Sequence, residues 1–133
     1  DLYKQLDGTV KTISSWVTRE RQTSRSRISR VYDIRAANLK RWLFIKPSPY
    51  VKVWCGSSFH GQSNTLEKQE NPVWPDKFNF ADILPNSVLT IEVWDDVVGL
   101  DHHMGTCRIT IRPGTHNETC QLNRGTVYYS YSY

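Results

Sequence analysis

The strongest constraint on the fold is a succession of short strand patterns, most of which end at a turn signal. Residues 28–36, 50–55, 60–66, 77–80, 89–94, 107–111 and 125–133 favour strands, several with the two-residue alternation of a half-buried strand. Residues 70–75 hold two prolines and an asparagine, which predicts a loop. Because no helical segments alternate with these strands, we predict an all-β fold, an antiparallel β-sandwich.

The 133 residues suffice for one domain with a real core, and their charge is unevenly distributed. Residues 1–30 carry seven Lys/Arg against three Asp/Glu, a surplus of four that equals the net charge of +4 of the whole chain. We therefore divide the chain into a basic N-terminal arm or linker, residues 1–27, and a β-sandwich domain, residues 28–133. A basic arm can attract phosphate, but a solvated linker is the simpler interpretation, and we expect no nucleic-acid partner.

The arm has two alternative interpretations. Gly8 and several β-branched residues weaken a helix and leave an extra strand over residues 9–17 as one possibility. A polar, serine-rich segment follows and predicts a linker into the first strand. The helix is favoured by apolar residues spaced at three or four positions: Leu2, Leu6, Val10, Ile13 and Val17.

The strand at residues 89–94 leads into an acidic loop, which we name loop 3 (residues 95–101). Carboxylates on both stems of such a loop can face one point, which suits a hard cation with oxygen ligands. The simpler interpretation is that they are solvated turn residues. Zinc bound by Asp101 with His102 and His103 is a further alternative.

The three cysteines and one sequon point to an oxidising environment. Cys107 and Cys120 flank the turn at residues 113–114, a spacing suited to clamping two adjacent strands or a loop. Cys55 lies inside a predicted strand, where we expect a buried, unpaired thiol. Asn117 begins the glycosylation sequon Asn-Glu-Thr in a segment that we predict to be a loop. Together these features favour a secreted, extracellular glycoprotein.

Several motifs are spread along residues 28–133. They are Ala-Ala-Asn-Leu at 36–39, Pro-Tyr-Val-Lys-Val at 49–53, Asn-Pro-Val-Trp at 71–74 with Phe-Asn-Phe at 78–80, Leu-Thr-Ile-Glu-Val-Trp-Asp at 89–95, and Gly-Thr-Cys at 105–107 with Leu-Asn-Arg-Gly at 122–125. These segments resemble the C2 domain family, and among its members the perforin-like C2 domains. The resemblance implies an eight-stranded antiparallel β-sandwich in which Cys107 pairs with Cys120.

The resemblance also implies calcium at one end of the sandwich, held by acids of loop 3 and of the first loop, loop 1 (residues 41–48). Loop 3 keeps part of this set, whereas Val97 and Ser48 stand where the family has further acids. Because affinity follows the number of charged ligands, we expect Ca²⁺ to bind weakly or not at all. The candidate ligands that remain are Asp95, Asp96 and Asp101.

Loops 1 and 3 both carry apolar tips, which indicates a membrane-binding surface. Exposed apolar groups usually mark an interface, and Arg41 and Lys46 beside them suit anionic lipid. The alternatives are that Trp42 and Phe44 fold back over the core, or that the apolar face of the arm covers them. The candidate lipid-binding residues are Trp42, Leu43, Phe44 and Ile45 in loop 1, and Val97, Val98 and Leu100 in loop 3.

The sequence contains no nucleophile motif and no glycine-rich phosphate loop, so we expect a binding module and not an enzyme. Our first hypothesis is a secreted, perforin-like C2 module that binds phospholipid membranes through its apical loops and has a weakened calcium site. The alternative is a protein- or glycan-interaction module that kept the sandwich and lost the calcium chemistry.

Overall fold

A computed structural model describes residues 28–42 and 45–133, which form two antiparallel β-sheets packed into a sandwich. This part contains no helix, and hence none long enough to cross a membrane, so the predicted all-β sandwich is confirmed. The helix or extra strand predicted for the arm lies outside the described residues. The strands are β1 Ile28–Ala37, β2 Pro49–Cys55, β3 Ser58–Gln62, β4 Val73–Trp74, β5 Phe78–Ala81, β6 Val88–Asp95, β7 His102–Thr110, β8 Thr115–Leu122 and β9 Gly125–Ser132.

The first sheet, ordered β4-β1-β9-β8, contains an interrupted strand. Strand β4 pairs with Ile34 and Arg35 of β1, and β5 pairs with residues 28–31 further along β1. The two follow one another as one strand that is broken after Trp74, where Pro75 has no N–H to donate. Counted as one interrupted strand, β4 and β5 leave the eight strands that the resemblance implied. The loop predicted at 70–75 is wrong for the two residues of β4.

A β-bulge in β1 changes which residues face the core. The register against β9 shifts between Tyr32 and Arg35, and Asp33 between them has a φ of 51°. Val31 is buried before the bulge and Ile34 after it, because the extra residue moves the alternation to the other parity. The uninterrupted alternation predicted for residues 28–36 is wrong in its first half.

The second sheet, ordered β3-β2-β6-β7, has β6 beside β2 at its centre. Leu89, Ile91 and Val93 of β6 are at most 1% exposed, as their alternation predicted. The ladder between β2 and β6 runs without a shift from Cys55 opposite Leu89 to Pro49 opposite Asp95. This regular ladder fixes where the loops at its far end begin.

The bounds of β3 and β7 differ from the predicted ones by more than one residue. Strand β3 begins and ends earlier than residues 60–66, and β7 begins at His102 instead of Cys107. Strand β8 was not predicted, because it lies at a sheet edge and its half-buried positions include His116 and Glu118. A strand with polar residues on both faces gives no alternation of apolar residues.

The core lies between the two sheets. Trp74 of the first sheet is 1% exposed, and its Nε1 donates to the carbonyl oxygen of Pro49 in the second sheet at 3.3 Å. Among the described residues, Asp95 is the charged one of the large side chains that are less than 2% exposed. The other large side chains below 2% exposure are Tyr131, Ile34, Leu39, Leu89, Ile91, Val31, Val51, Val53, Val93 and Val127.

A disulfide links the two sheets at their edges. Cys107 of β7 is bonded to Cys120 of β8, with their Cα atoms 6.0 Å apart. Cys55 is a free thiol that is 5% exposed, and burial raises its pKa. Both expectations for the cysteines are confirmed.

The β8–β9 hairpin packs closely against the chain that leads into loop 1. A Cβ atom at Gly125 would lie 2.7 Å from Cδ2 of Leu39 and 3.1 Å from the carbonyl oxygen of Ala37. Gly125 also has a φ of 137°, which side chains rarely adopt. This contact fixes the root of loop 1 against the hairpin.

Removing the disulfide is expected to lower stability without changing the fold. The Cys107→Ala/Cys120→Ala variant should lose on the order of 3 kcal/mol in the free energy of unfolding, because a closed loop of this size restricts the unfolded chain. Urea unfolding measures the loss, and thiol titration of the denatured wild type should count Cys55 alone. Three titratable thiols would contradict the pairing.

Substitution of Gly125 is expected to strain the root of loop 1. Gly125→Ala should cost about 1–3 kcal/mol or more, because it adds a crowded Cβ to an unfavourable φ. Gly56→Ala is the matched control, since Gly56 also has a positive φ, 59°, but open space around its Cα. Equal losses of unfolding free energy for the two variants would show that the contact with Leu39 does not matter.

Candidate functional site

Three loops leave the sandwich at the same end, which we call the apical end: loop 1, loop 3 and loop 2 (residues 63–72). The amide of Asp96 in loop 3 donates to the carbonyl oxygen of Ser48 in loop 1 at 2.9 Å. The amide of Leu66 in loop 2 donates to the carbonyl oxygen of Pro49 at 3.0 Å. Backbone hydrogen bonds therefore tie the bases of the three loops together.

Asp95, the last residue of β6, is a buried charge at the base of these loops. Arg41 of loop 1 donates to both of its oxygens, from Nε to Oδ2 at 2.6 Å and from Nη2 to Oδ1 at 2.7 Å. The Ser48 amide donates to Oδ1 at 2.8 Å. Burial by itself raises the pKa of Asp95, but these hydrogen bonds and the charge of Arg41 outweigh it and lower the pKa overall. The side-chain hydrogen bond with Asp95 raises the pKa of Arg41.

The two other acidic residues of loop 3 have different partners. The Tyr50 hydroxyl of β2 donates to Oδ2 of Asp101 at 2.6 Å. Burial, and then this hydrogen bond, raises the pKa of Tyr50 to about 12. The Thr65 hydroxyl of loop 2 donates to Oδ2 of Asp96 at 3.3 Å. The three carboxylates are thus held by three different parts of the chain.

This arrangement does not fit a calcium cage. A calcium ion needs several oxygen ligands that converge on one point, and both oxygens of Asp95 are already engaged. Within residues 28–42 and 45–133, no three His, Cys, Asp or Glu side chains come together as a possible metal site. The assignment of Asp95, Asp96 and Asp101 to Ca²⁺ stays a prediction.

The zinc alternative at Asp101, His102 and His103 lacks the same convergence within the described residues. Nε2 of His103 lies 2.7 Å from Oγ1 of Thr106, and its ring packs edge-on against Trp94 at 5.2 Å. His103 therefore takes part in packing on the second sheet.

The apolar tips of loops 1 and 3 are open to solvent. Trp42 does not fold back over the core, so that alternative is wrong for Trp42. Val97 is half-buried. Leu43 and Phe44 lie outside the described residues. The arm lies outside them too, so the alternative in which its apolar face covers the tips stays untested. Four of the predicted lipid-binding residues are more than half exposed: Trp42 (66%), Ile45 (53%), Val98 (103%) and Leu100 (76%).

A cleft of about 740 Å³ lies between loop 1, the beginning of β7 and the β8–β9 hairpin. Its described lining includes three basic residues, Lys40, Arg41 and Arg124, and one acid, Asp95. Arg41 balances Asp95, and Lys40 pairs with Glu70 at 3.2 Å, so the positive charge that remains in the described lining is that of Arg124. Trp42 adds an aromatic wall on the loop 1 side.

The sequence patterns did not indicate Arg41 and Tyr50 as partners of the acidic loop. Arg41 was expected to face lipid, yet its side chain is only 28% exposed and pairs with a residue 54 positions away. The sequence feature that could have indicated this ion pair is Ser48. Because a serine stands there and not the acid of the family, a cation of loop 1 has room beside Asp95.

Asn117 lies in strand β8 and not in the predicted loop. Its side chain is exposed on an edge strand, and its Oδ1 accepts a hydrogen bond from the Ser130 hydroxyl at 2.6 Å. Its glycosylation stays a prediction.

Similarity to known proteins runs through the whole sandwich. A C2 domain family model matches residues 27–125. Perforin-1 of Mus musculus is 34% identical over 85 residues, which cover 62% of this chain and 15% of that protein. A calcium-dependent lipid-binding protein of Arabidopsis thaliana is 31% identical over 80 residues, 59% of this chain and 16% of that protein.

A solved structure described as the structure of a C2 domain superposes with a TM-score of 0.76 at 33% identity, covering 79% of this chain and 96% of that one. The chain spans only about 15–16% of the length of the two curated relatives. Because the family match extends from the last residue of the arm to the first residue of β9, the chain belongs to the C2 domain family.

Proposed function

We propose that this C2 domain binds phospholipid membranes through its apical end, outside the cell and with little dependence on calcium. A C2 domain is a binding module, and the Arabidopsis relative is by its name a lipid-binding protein. The observation that carries the proposal is the set of exposed apolar side chains on loops 1 and 3: Trp42, Ile45, Val98 and Leu100.

Insertion of these tips offers enough free energy for useful affinity. Each large apolar side chain contributes roughly 1.5–3 kcal/mol when it is fully buried. Four of them sum to roughly 6–12 kcal/mol, against about 8 kcal/mol for a Kd of 1 μM, before the cost of ordering is subtracted. Lys46, exposed beside Ile45, adds about 1 kcal/mol near anionic lipid.

The cations beside the exposed side chains, and not the net charge, favour the apical end. Leu84 and Val88 at the opposite end are also exposed, but the loop between β5 and β6 carries Asp82 and no cation. The three apical loops together hold three Lys/Arg against five Asp/Glu. Attraction to anionic lipid therefore rests on Lys46 beside the loop 1 tip and on Arg124 of the neighbouring hairpin.

Two covalent features support an extracellular setting. The disulfide between Cys107 and Cys120 is of a kind that persists in oxidising compartments, and the sequon at Asn117 is exposed. Secretion as a glycoprotein is part of the same proposal.

Recognition of a glycan or a protein is the second candidate function. The cleft of about 740 Å³ favours it, because an aromatic wall beside basic side chains suits a polar ligand of moderate size. In that case the tips would contact a partner and not a bilayer.

Vesicle sedimentation with the calcium chelator EGTA present tests the proposal. Leu100→Ala should weaken binding to phosphatidylcholine/phosphatidylserine vesicles about tenfold, since burying a leucine is worth at least 1.4 kcal/mol. Leu84→Ala is the matched control, because Leu84 is 74% exposed and Leu100 is 76% exposed. Wild-type binding should change little when calcium replaces the chelator.

Two outcomes would contradict the proposal. The first is that wild-type protein fails to sediment with vesicles under either condition. The second is that Leu84→Ala weakens binding as much as Leu100→Ala does. The first result would leave glycan or protein recognition as the better account, and the second would show that the apical tips are not the lipid-binding surface.

A further inference from the structure

Asp95 is a buried carboxylate whose charge must be balanced. Its side chain is 2% exposed, and burial of an unpaired charge is costly. Three hydrogen bonds reach it, two from the guanidinium of Arg41 and one from the amide of Ser48. All three donors belong to loop 1, so the acid at the base of loop 3 is neutralised from the loop opposite.

Loop 1 supplies a cation where the family resemblance implies acids. Its eight residues include Arg41 and Lys46 but no Asp or Glu. A divalent ion placed beside Asp95 would meet one carboxylate from β6 and none from loop 1, which leaves half of its charge unbalanced. The single charge of a guanidinium matches the single charge of Asp95, and its planar fork fits both oxygens.

The other carboxylates of loop 3 are not free to complete a metal site. Asp101 accepts from the Tyr50 hydroxyl, and Asp96 accepts from the Thr65 hydroxyl. Each is directed to a partner on a different element, and Asp95 would have to give up three hydrogen bonds to join them.

We propose that the guanidinium of Arg41 is the resident cation of this C2 domain and holds loop 1 to loop 3 in place of a metal ion. The link is intramolecular and permanent, so the loops keep their arrangement whatever the calcium concentration. Arg41 directly precedes Trp42, and the ion pair therefore sets the position from which the exposed tip of loop 1 begins. The inference concerns the loops themselves and does not rest on membrane binding.

Thermal unfolding of the full chain in EGTA and in calcium tests this role. The wild-type melting temperature should be the same in both, and calorimetric titration with CaCl₂ should show no binding. Arg41→Gln should lower the melting temperature by on the order of 10 °C, because it leaves the charge of Asp95 buried with no cation beside it and only the Ser48 amide as donor. Arg112→Gln should change it little, since Arg112 is 62% exposed in its pair with Glu118.

Two further variants separate the ion pair from a general loss of packing. Arg41→Lys keeps the charge without the fork and should recover part of the lost stability. The effects of Arg41→Gln and Asp95→Asn should be strongly non-additive in the double variant, because each removes the same contact. Additive effects would overturn the proposal.

The wild-type titration needs no variant to fold. Calcium that raises the wild-type melting temperature would overturn the proposal, and loss of that rise in Asp95→Asn would place the metal ion at Asp95. Failure of vesicle binding leaves this inference standing, and failure of this inference leaves apolar insertion of the tips standing.

Discussion

The unshifted ladder between β2 and β6 is the constraint on which the apical end depends. It buries the alternating side chains of β6 and ends with Pro49 opposite Asp95. From that point loops 1 and 3 leave side by side, so the last residue of a core strand is also the first residue of the acidic loop. A carboxylate at this position is buried by the fold itself, and the chain must provide a partner for it.

The partner that the chain provides separates two roles that one ion would otherwise combine. In a metal site, the cation both balances the buried acid and offers charge to a ligand outside. Here the guanidinium of Arg41 balances Asp95, with only 28% of its side chain exposed. Contact with a membrane then falls to the apolar tips and to cations further out, such as Lys46. This division is how the proposed lipid binding can proceed although loop 1 carries no acid.

The sequence predicted those parts of the structure that local pattern determines. The alternation in β6 and the pairing of Cys107 with Cys120 followed from residues near one another or from family motifs, whereas the sequence left open whether Trp42 is exposed. The bulge at Asp33 and the polar edge strand β8 did not, because neither produces an apolar alternation. The pair of Arg41 with Asp95 joins residues 54 positions apart, and only the register of β2 against β6 brings them together.

The most direct test of the account is the depth of loop 3 in a bilayer without calcium. A spin label at Val98→Cys, a position that is fully exposed, reports that depth by its accessibility to oxygen and to a water-soluble relaxant, while buried Cys55 should stay unlabelled. A label at Leu84→Cys marks the opposite end. On phosphatidylcholine/phosphatidylserine vesicles in EGTA, the Val98→Cys label should enter the lipid and the Leu84→Cys label should stay in water. Vesicle-bound protein in which both labels stay in water would contradict insertion of the apical tips.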